Sequence, residues 1–265
     1  MKINEITIKN ALVKSRIRGV GYVINPYLGC GHGCRYCYAT FMRKYSRANR
    51  LSRWGEFVEV KVNIPSILED ELARKRKTAS ALLSSVCDPY QPVERRYKLT
   101  RRCLELLRNY GWGIRILTRS PLVIRDLDLL THSLDALVGL SIPTDDDRVR
   151  KVLEPNSPPI GARIETLKRL RSAGIRTWAF IAPTLPMDPR RLHSLVSPHV
   201  EYVLIDPLNY QQQVARLFRD QGWAYALSQG YAKHTRNVLQ RLFREQAPDL
   251  TGLRGYPKWS RNKSG

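Results

Sequence analysis

Three cysteines fall within eight residues, Cys30-Gly31-His32-Gly33-Cys34-Arg35-Tyr36-Cys37, a C-x3-C-x2-C spacing with an aromatic just before the last thiol. Thiolates this close converge on one metal centre far more readily than they pair as disulfides. Three is one short of the four N/S ligands that close a structural zinc site. It suits a cubane iron–sulfur cluster in which three irons are held by cysteine and the fourth is left open.

The rest of the composition bounds the setting. A chain of 265 residues is long enough for one large α/β domain, or one domain with a small appendage, and 43% hydrophobic residues supply a sizeable core. No apolar run reaches membrane-spanning length and no signal peptide opens the sequence, so no membrane partner is expected. Five cysteines, three of them clustered, argue for a reducing, cytoplasmic setting and against a disulfide framework. The formal net charge of +22 points to a polyanionic partner, most simply nucleic acid. Basic runs occur at Arg43, Lys44, Arg47, Arg50 and Arg53, at Arg74–Lys77, and at Arg95, Arg96, Lys98, Arg101 and Arg102. From Asn209 onward ten Lys/Arg stand against three acids, interleaved with Trp223, Tyr225, Tyr231, Tyr256 and Trp259. Such mixtures grip phosphates and stack on bases, although any one run also reads as a solvated helix face.

Short β-branched runs alternate with helical patterns, which predicts βα units and a mostly parallel sheet. Strands are expected at Gly21–Asn25, Phe57–Val62, Ala81–Val86, Ile114–Thr118, Ala136–Ile142, Thr177–Ala182 and Tyr202–Ile205. Ile160, Ile164, Leu167 and Leu170 form a helical stripe stopped by Gly174. Thr100–Tyr110 forms another, with Cys103, Leu106, Leu107 and Tyr110 inward. Two amphipathic helices are expected at Gln211–Gln221 and Lys233–Glu245. An open doubly wound sheet and a barrel both satisfy this pattern.

The stretch Asn25-Pro26-Tyr27-Leu28-Gly29-Cys30 through Cys37-Tyr38-Ala39 resembles the cluster loop of radical S-adenosylmethionine (radical SAM) enzymes, in the branch that includes spore photoproduct lyase. The resemblance runs from about Ala11 to Pro207. It implies an α/β fold, the partial (β/α)6 TIM-like barrel, over residues 1–207, followed by a short C-terminal helical extension at 208–247 and a basic tail at 248–265. With only 29 residues ahead of Cys30, no N-terminal domain is expected. It also implies a 4Fe-4S cluster on Cys30, Cys34 and Cys37, S-adenosylmethionine chelated at the open iron, and an electron donor such as flavodoxin or ferredoxin. The cofactor carries the chemistry; the protein ligates, orients and excludes water.

In such barrels function sits past the C-terminal strand ends. After Ala81–Val86, the stretch Cys87-Asp88-Pro89-Tyr90-Gln91-Pro92-Val93-Glu94 resembles the family's replacement for the motif that binds the amino group of S-adenosylmethionine. Asp88, Gln91 and Glu94 can accept from an ammonium, or cap the next helix. Arg119, past Ile114–Thr118, can meet a carboxylate and stands where relatives often carry lysine. By the same resemblance Ser141, with Thr144 as second choice, would contact the ribose. Arg163 would reach the carboxylate of the cofactor or lie at the surface, and Pro183 would line the adenine side. Glu154-Pro155-Asn156 is similar to a glutamate–proline turn of this branch. The resembled lyase has a hydrogen-donating cysteine near the first of these strand ends, so Cys87 is either a donor or a small core residue. Tyr90 is the next donor to consider. Cys103, mid-helix, is expected in the core, and His32 beside the cluster.

The leading expectation is a radical SAM enzyme acting on DNA or RNA. Two alternatives stand beside it: radical modification of a protein, peptide or small molecule, and a non-catalytic metal-stapled nucleic-acid-binding module, for which only His32 offers a fourth ligand nearby. Oligomeric state is not legible.

Overall fold

The computed structural model describes residues 1–246 apart from 18 and 47. The expected basic tail at 248–265 lies outside the described residues. Among the described residues ten strands form two sheets: β1 (Lys2–Ile6), β2 (Val13–Lys14), β3 (Tyr22–Ile24), β4 (Tyr27–Leu28), β5 (Phe57–Lys61), β6 (Ser80–Leu83), β7 (Gly113–Thr118), β8 (Ala136–Ser141), β9 (Arg176–Ile181) and β10 (Tyr202–Ile205). The larger sheet has the order β10-β9-β8-β7-β6-β3-β2. From β3 to β10 every neighbouring pair in it is parallel, and β2 adds an antiparallel edge. Six parallel strands with helices packed against them make the partial barrel.

The run Ala136–Ser141 is buried at every position, as a parallel strand covered on both faces must be. Helices Ile64–Ala73, Leu99–Asn109, Ile160–Ser172 and Pro189–Val196 join the crossovers. Leu99, Cys103, Leu104 and Leu107 bury one side of the second of these, so Cys103 is core as expected, whereas Leu106 and Tyr110 are only partly buried. In Ile160–Ser172 the buried side holds Ile160, Arg163, Leu167 and Leu170. Arg163 occupies an inward position that the apolar stripe assigned to Ile164.

Three expectations change. Phe57–Lys61 is not a barrel strand. It joins a three-stranded sheet, β1-β5-β4, parallel to β1 and antiparallel to β4. Gln211–Gln221 is not one helix but a 3-10 turn, Gln211–Gln213, followed by the short helix Ala215–Asp220. The final helix, Gln229–Gln246, is longer than expected. Val214, Phe218 and Ala226 of this region share a hydrophobic cluster with Cys34, Tyr36, Leu153 and Leu185, so the extension packs against the cysteine loop. Among the described residues no helix is long and apolar enough to cross a membrane.

Candidate functional site

The cysteine loop follows β4 and is set by its glycines and by two clamps. Gly29 has φ +87°, and a Cβ there would lie 2.5 Å from the Phe57 carbonyl oxygen, so only glycine fits. Gly33, at φ +62°, packs against Gly55 so closely that a Cβ on Gly55 would meet the Gly33 Cα at 2.7 Å. This pairing seats the Trp54–Gly55 turn on the loop. One clamp is Gln91, whose Oε1 accepts from the Gly31 N–H at 2.8 Å and whose Nε2 donates to the Gly29 carbonyl at 3.2 Å. The other is the turn after residue 153. The Asn156 amide donates to the Gly31 carbonyl at 3.1 Å, the Arg35 N–H donates to the Leu153 carbonyl at 2.9 Å, and the Tyr36 hydroxyl donates to Glu154.

A cavity of about 1170 Å³ opens over this loop at the C-terminal ends of the parallel strands. Eight of the expected site residues line it: Cys30, Cys34, Cys37, Cys87, Asp88, Arg119, Ser141 and Pro183. Arg119 is the only Arg or Lys among the described residues lining the cavity. Its Nε sits 3.5 Å from Glu154 Oε1, and burial of the guanidinium is outweighed by Cys34, Glu154, Tyr36 and Asp88, which keep it charged.

Asp88 reaches the cavity, and three of its acceptor sites are already used. Oδ1 accepts from the Tyr90 N–H (2.8 Å) and Thr118 Oγ1 (2.6 Å); Oδ2 accepts from the Arg119 N–H (2.9 Å) and lies 3.4 Å from His32 Nε2. A carboxylate has about four lone-pair sites. Burial would raise its pKa, but His32, Arg119 and Thr118 hold it down at about 2. Asp88 therefore knots three segments together, with one lone-pair site, on Oδ2 toward His32, taking no hydrogen bond.

The other five expected site residues lie behind the cavity wall. Tyr90 is buried in the main core with its hydroxyl toward Asp126 and Arg125 beside its ring, out of reach of a substrate. Gln91 is the loop clamp. Glu94 accepts from Tyr27, from the Thr100 N–H at 3.0 Å and from Arg125 Nη2 at 2.7 Å, all beneath the strand ends. Thr144 donates to the Pro186 carbonyl at 2.7 Å and accepts from the Asp146 N–H at 3.1 Å, stapling two loops. Arg163 is fully buried; it pairs with Glu154 and donates to the carbonyls of Ser141 (2.9 Å) and Pro158 (2.9 Å), so it props the Ser141 strand end from below.

Cys87 faces the cavity at the end of a tight turn in which Ser84 adopts φ +65°, a strained value for a non-glycine residue. Its thiol lies 3.4 Å from Ser84 Oγ and 3.5 Å from the Tyr27 carbonyl. Burial pushes its pKa up to about 11, against the opposing pull of Ser84 and Lys61, so the sulfur keeps its proton.

Several lining residues were not foreseen. Tyr38 follows the last cysteine directly, and its hydroxyl donates to the Ser85 carbonyl. Asp206, Asn209 and Tyr210 come just past β10, where the strand-end rule applied to the other strands would have found them. Gln229 of the final helix completes the far wall. Glu154, quoted as part of a turn, is a buried anion held at about 2 because Arg163, Arg119 and Tyr36 outweigh the effect of burial.

The donor set fits an iron–sulfur cluster. Cys30, Cys34 and Cys37 are free thiols lining one cavity, Cys30 and Cys34 fully in the interior. Among the described residues no three His, Cys, Asp or Glu side chains converge as ligands of a single ion, and the three thiols share the lining of one cavity. The Trp54 indole Nε1 is buried beside Cys37 with no oxygen or nitrogen acceptor, a donor placed for a thiolate.

The Radical SAM superfamily model matches residues 24–189. An uncharacterized protein of Methanocaldococcus jannaschii is 36% identical over 211 residues, covering 79% of this chain and 78% of that one. The radical SAM Nα-GlyT isomerase of Pseudomonas phage M6 is 28% identical over 162 residues, 61% of this chain and 32% of that one. Among solved structures, spore photoproduct lyase complexed with dinucleoside spore photoproduct superposes with a TM-score of 0.64 at 15% identity, over 93% of this chain and 80% of that one.

Proposed function

The chain belongs to the radical SAM superfamily, and from that premise we propose that it uses a 4Fe-4S cluster to cleave S-adenosylmethionine reductively and acts on a nucleic-acid substrate. The observation that carries this is one cavity lined by three cysteine thiols, two of them buried and the third half-buried, with a single guanidinium among the described residues and a protonated thiol at the strand ends. When bound, the cluster and S-adenosylmethionine supply a 5′-deoxyadenosyl radical. Cys30, Cys34 and Cys37 would hold the cluster, fixed in place by Gln91, Asn156 and Tyr36. Arg119 offers a carboxylate partner, and Ser141 and Pro183 line the remaining wall. The loops past the strand ends and the final helix shield the floor from water.

Cys87 would give a hydrogen atom to a carbon radical on the substrate: its S–H bond breaks, a C–H bond forms, and a thiyl radical stays on sulfur. Because the thiol keeps its proton, the hydrogen is present at neutral pH. Cys87→Ala should retain cleavage of S-adenosylmethionine and change the product masses. An unchanged product profile assigns the donor elsewhere, with Tyr38 next in line.

The substrate class rests on the charge of +22 and on the names of two similar proteins, one an Nα-GlyT isomerase and one a lyase bound to a dinucleoside. Reconstitution without oxygen, reduction with dithionite and detection of 5′-deoxyadenosine test the chemistry. Binding of oligonucleotides that weakens steeply with salt tests the partner. A protein that forms 5′-deoxyadenosine but binds no nucleic acid at low salt would instead act on a peptide or small molecule.

A further inference from the structure

The cavity mouth carries a surface that the reaction itself does not use. The 3-10 helix Tyr38–Tyr45 begins directly after Cys37, and its first residues, Tyr38 and Ala39, line the cavity. Farther along it Phe41 and Tyr45 stand about half exposed, at 47% and 58%. Lys44 Nζ lies 5.9 Å from the centre of the Phe41 ring and 4.9 Å from that of Tyr45. Across the mouth Tyr210 is also exposed, and Gln213 Nε2 donates to Thr40 Oγ1 at 3.4 Å, tying the two rims together. From Tyr38 to Trp54 the sequence holds five Lys/Arg and no Asp or Glu.

A cluster of exposed rings is apolar surface left in water, and such clusters mark interaction sites. Here the rings come with cations and without acids, so the occupant is anionic and has flat faces to stack. An acidic peptide would satisfy the charges and leave the rings uncovered. A paired duplex would present phosphates, with its base faces already stacked on each other. Unpaired nucleotides satisfy both, their phosphates meeting Arg43 and Lys44 and their bases meeting the rings. The depth of the thiols points the same way. Cys30 and Cys34 are buried at the cavity floor, so a base reaching them must leave its stack.

We propose that the segment Tyr38–Tyr45 is a stacking platform for unpaired nucleotides, from which the target base enters the cavity extruded from its strand. This rests on the nucleic-acid reading of the site. Phe41 and Tyr45 are exposed and lie off the cavity lining, so the double change Phe41→Ala and Tyr45→Ala should leave the fold, the iron content and uncoupled 5′-deoxyadenosine formation intact.

The test is fluorescence anisotropy on cluster-loaded protein without oxygen, using a short labelled oligothymidylate and a blunt duplex of equal length. The parent should bind the single strand more tightly than the duplex. The double variant should lose about 5- to 150-fold for each stacked ring on the single strand, with its salt slope and duplex affinity unchanged. Phe41→Trp should keep parental affinity. A double variant that binds the single strand like the parent overturns the platform and leaves the nucleic-acid reading standing. So does poly-glutamate displacing the label as readily as unlabelled oligothymidylate at equal charge. A parent that binds neither probe overturns both.

Discussion

Arg163→Met is the sharpest test of how the site is supported. The guanidinium is fully buried and makes one ion pair with Glu154, two hydrogen bonds to the Pro158 carbonyl (2.9 and 3.1 Å) and one to the Ser141 carbonyl (2.9 Å). Methionine fills much of the volume and donates nothing. Glu154 would then be a carboxylate in the interior with Tyr36 and, at 3.5 Å, Arg119 as its remaining support. Removing one partner of a buried pair costs about 3–5 kcal/mol, a large share of the roughly 5–15 kcal/mol that holds a domain together. The change should lower the urea midpoint strongly without abolishing folding.

Glu154→Gln added to Arg163→Met isolates the cause, because the neutral amide then leaves no stranded charge, whereas alone it leaves the Arg163 guanidinium without its carboxylate. The combined variant should be more stable than the sum of the two single losses by about 1–3 kcal/mol. Circular dichroism of the four cluster-loaded proteins in urea, without oxygen, measures this cycle. Losses that add to within about 0.5 kcal/mol would show that the two side chains do not act as a pair, and the buttress would be refuted.

Three further outcomes follow from the geometry. Alanine at Cys30, Cys34 or Cys37 should abolish iron binding and 5′-deoxyadenosine formation, whereas alanine at Cys103, buried in the core away from the cavity, should spare both; iron analysis and product mass decide. Gln91→Leu removes both hydrogen bonds of the loop clamp, so iron should be lost faster to a chelator while the far-ultraviolet spectrum is unchanged, and equal retention would mean that the Glu154–Asn156 turn suffices. Asp88 and Glu154 are both held at about 2 in the fold, below unfolded values near 3.9 and 4.3. Depressed carboxyls contribute fully above the unfolded values and lose that contribution as pH falls toward 2, so the thermal midpoint should stay level from pH 7 to about 5 and then drop, less steeply in Glu154→Gln.

The sequence made the cofactor loop legible because its residues are local: three thiols, the glycines and Tyr36 lie within nine positions. The strand ends were legible for the same reason, and Arg119, Ser141 and Pro183 line the cavity. What failed was direction. Being past a strand end fixes height along the barrel but not whether a side chain turns inward. After β6 the chain touches the cavity from Ser84 to Asp88 and then dives behind the wall, taking Tyr90, Gln91 and Glu94 with it. Arg163 was misread because its partners, Glu154 and the Ser141 carbonyl, lie 9 and 22 residues away and no local pattern ties them to it. The small sheet escaped for a similar reason: β1 is mostly exposed, with little apolar signal, and pairs with β5 more than fifty residues later.

The distribution of charge separates recognition from chemistry. Forty-five Lys/Arg stand against 23 Asp/Glu, yet among the described residues only Arg119 reaches the cavity, where Asp88 and Glu154 sit beside it. The basic excess is therefore an outer feature, able to act on a polyanion at a distance that salt screens, about 10 Å at 0.1 M. The buried groups around the thiols are screened far less. Raising salt from about 50 to 200 mM should accordingly weaken oligonucleotide binding by orders of magnitude if several phosphates are engaged. Formation of 5′-deoxyadenosine without substrate should stay nearly constant over the same range. Measuring both on one preparation decides the matter. Parallel loss of the two would place the salt-sensitive charges inside the catalytic cavity, against a lining that offers a single guanidinium.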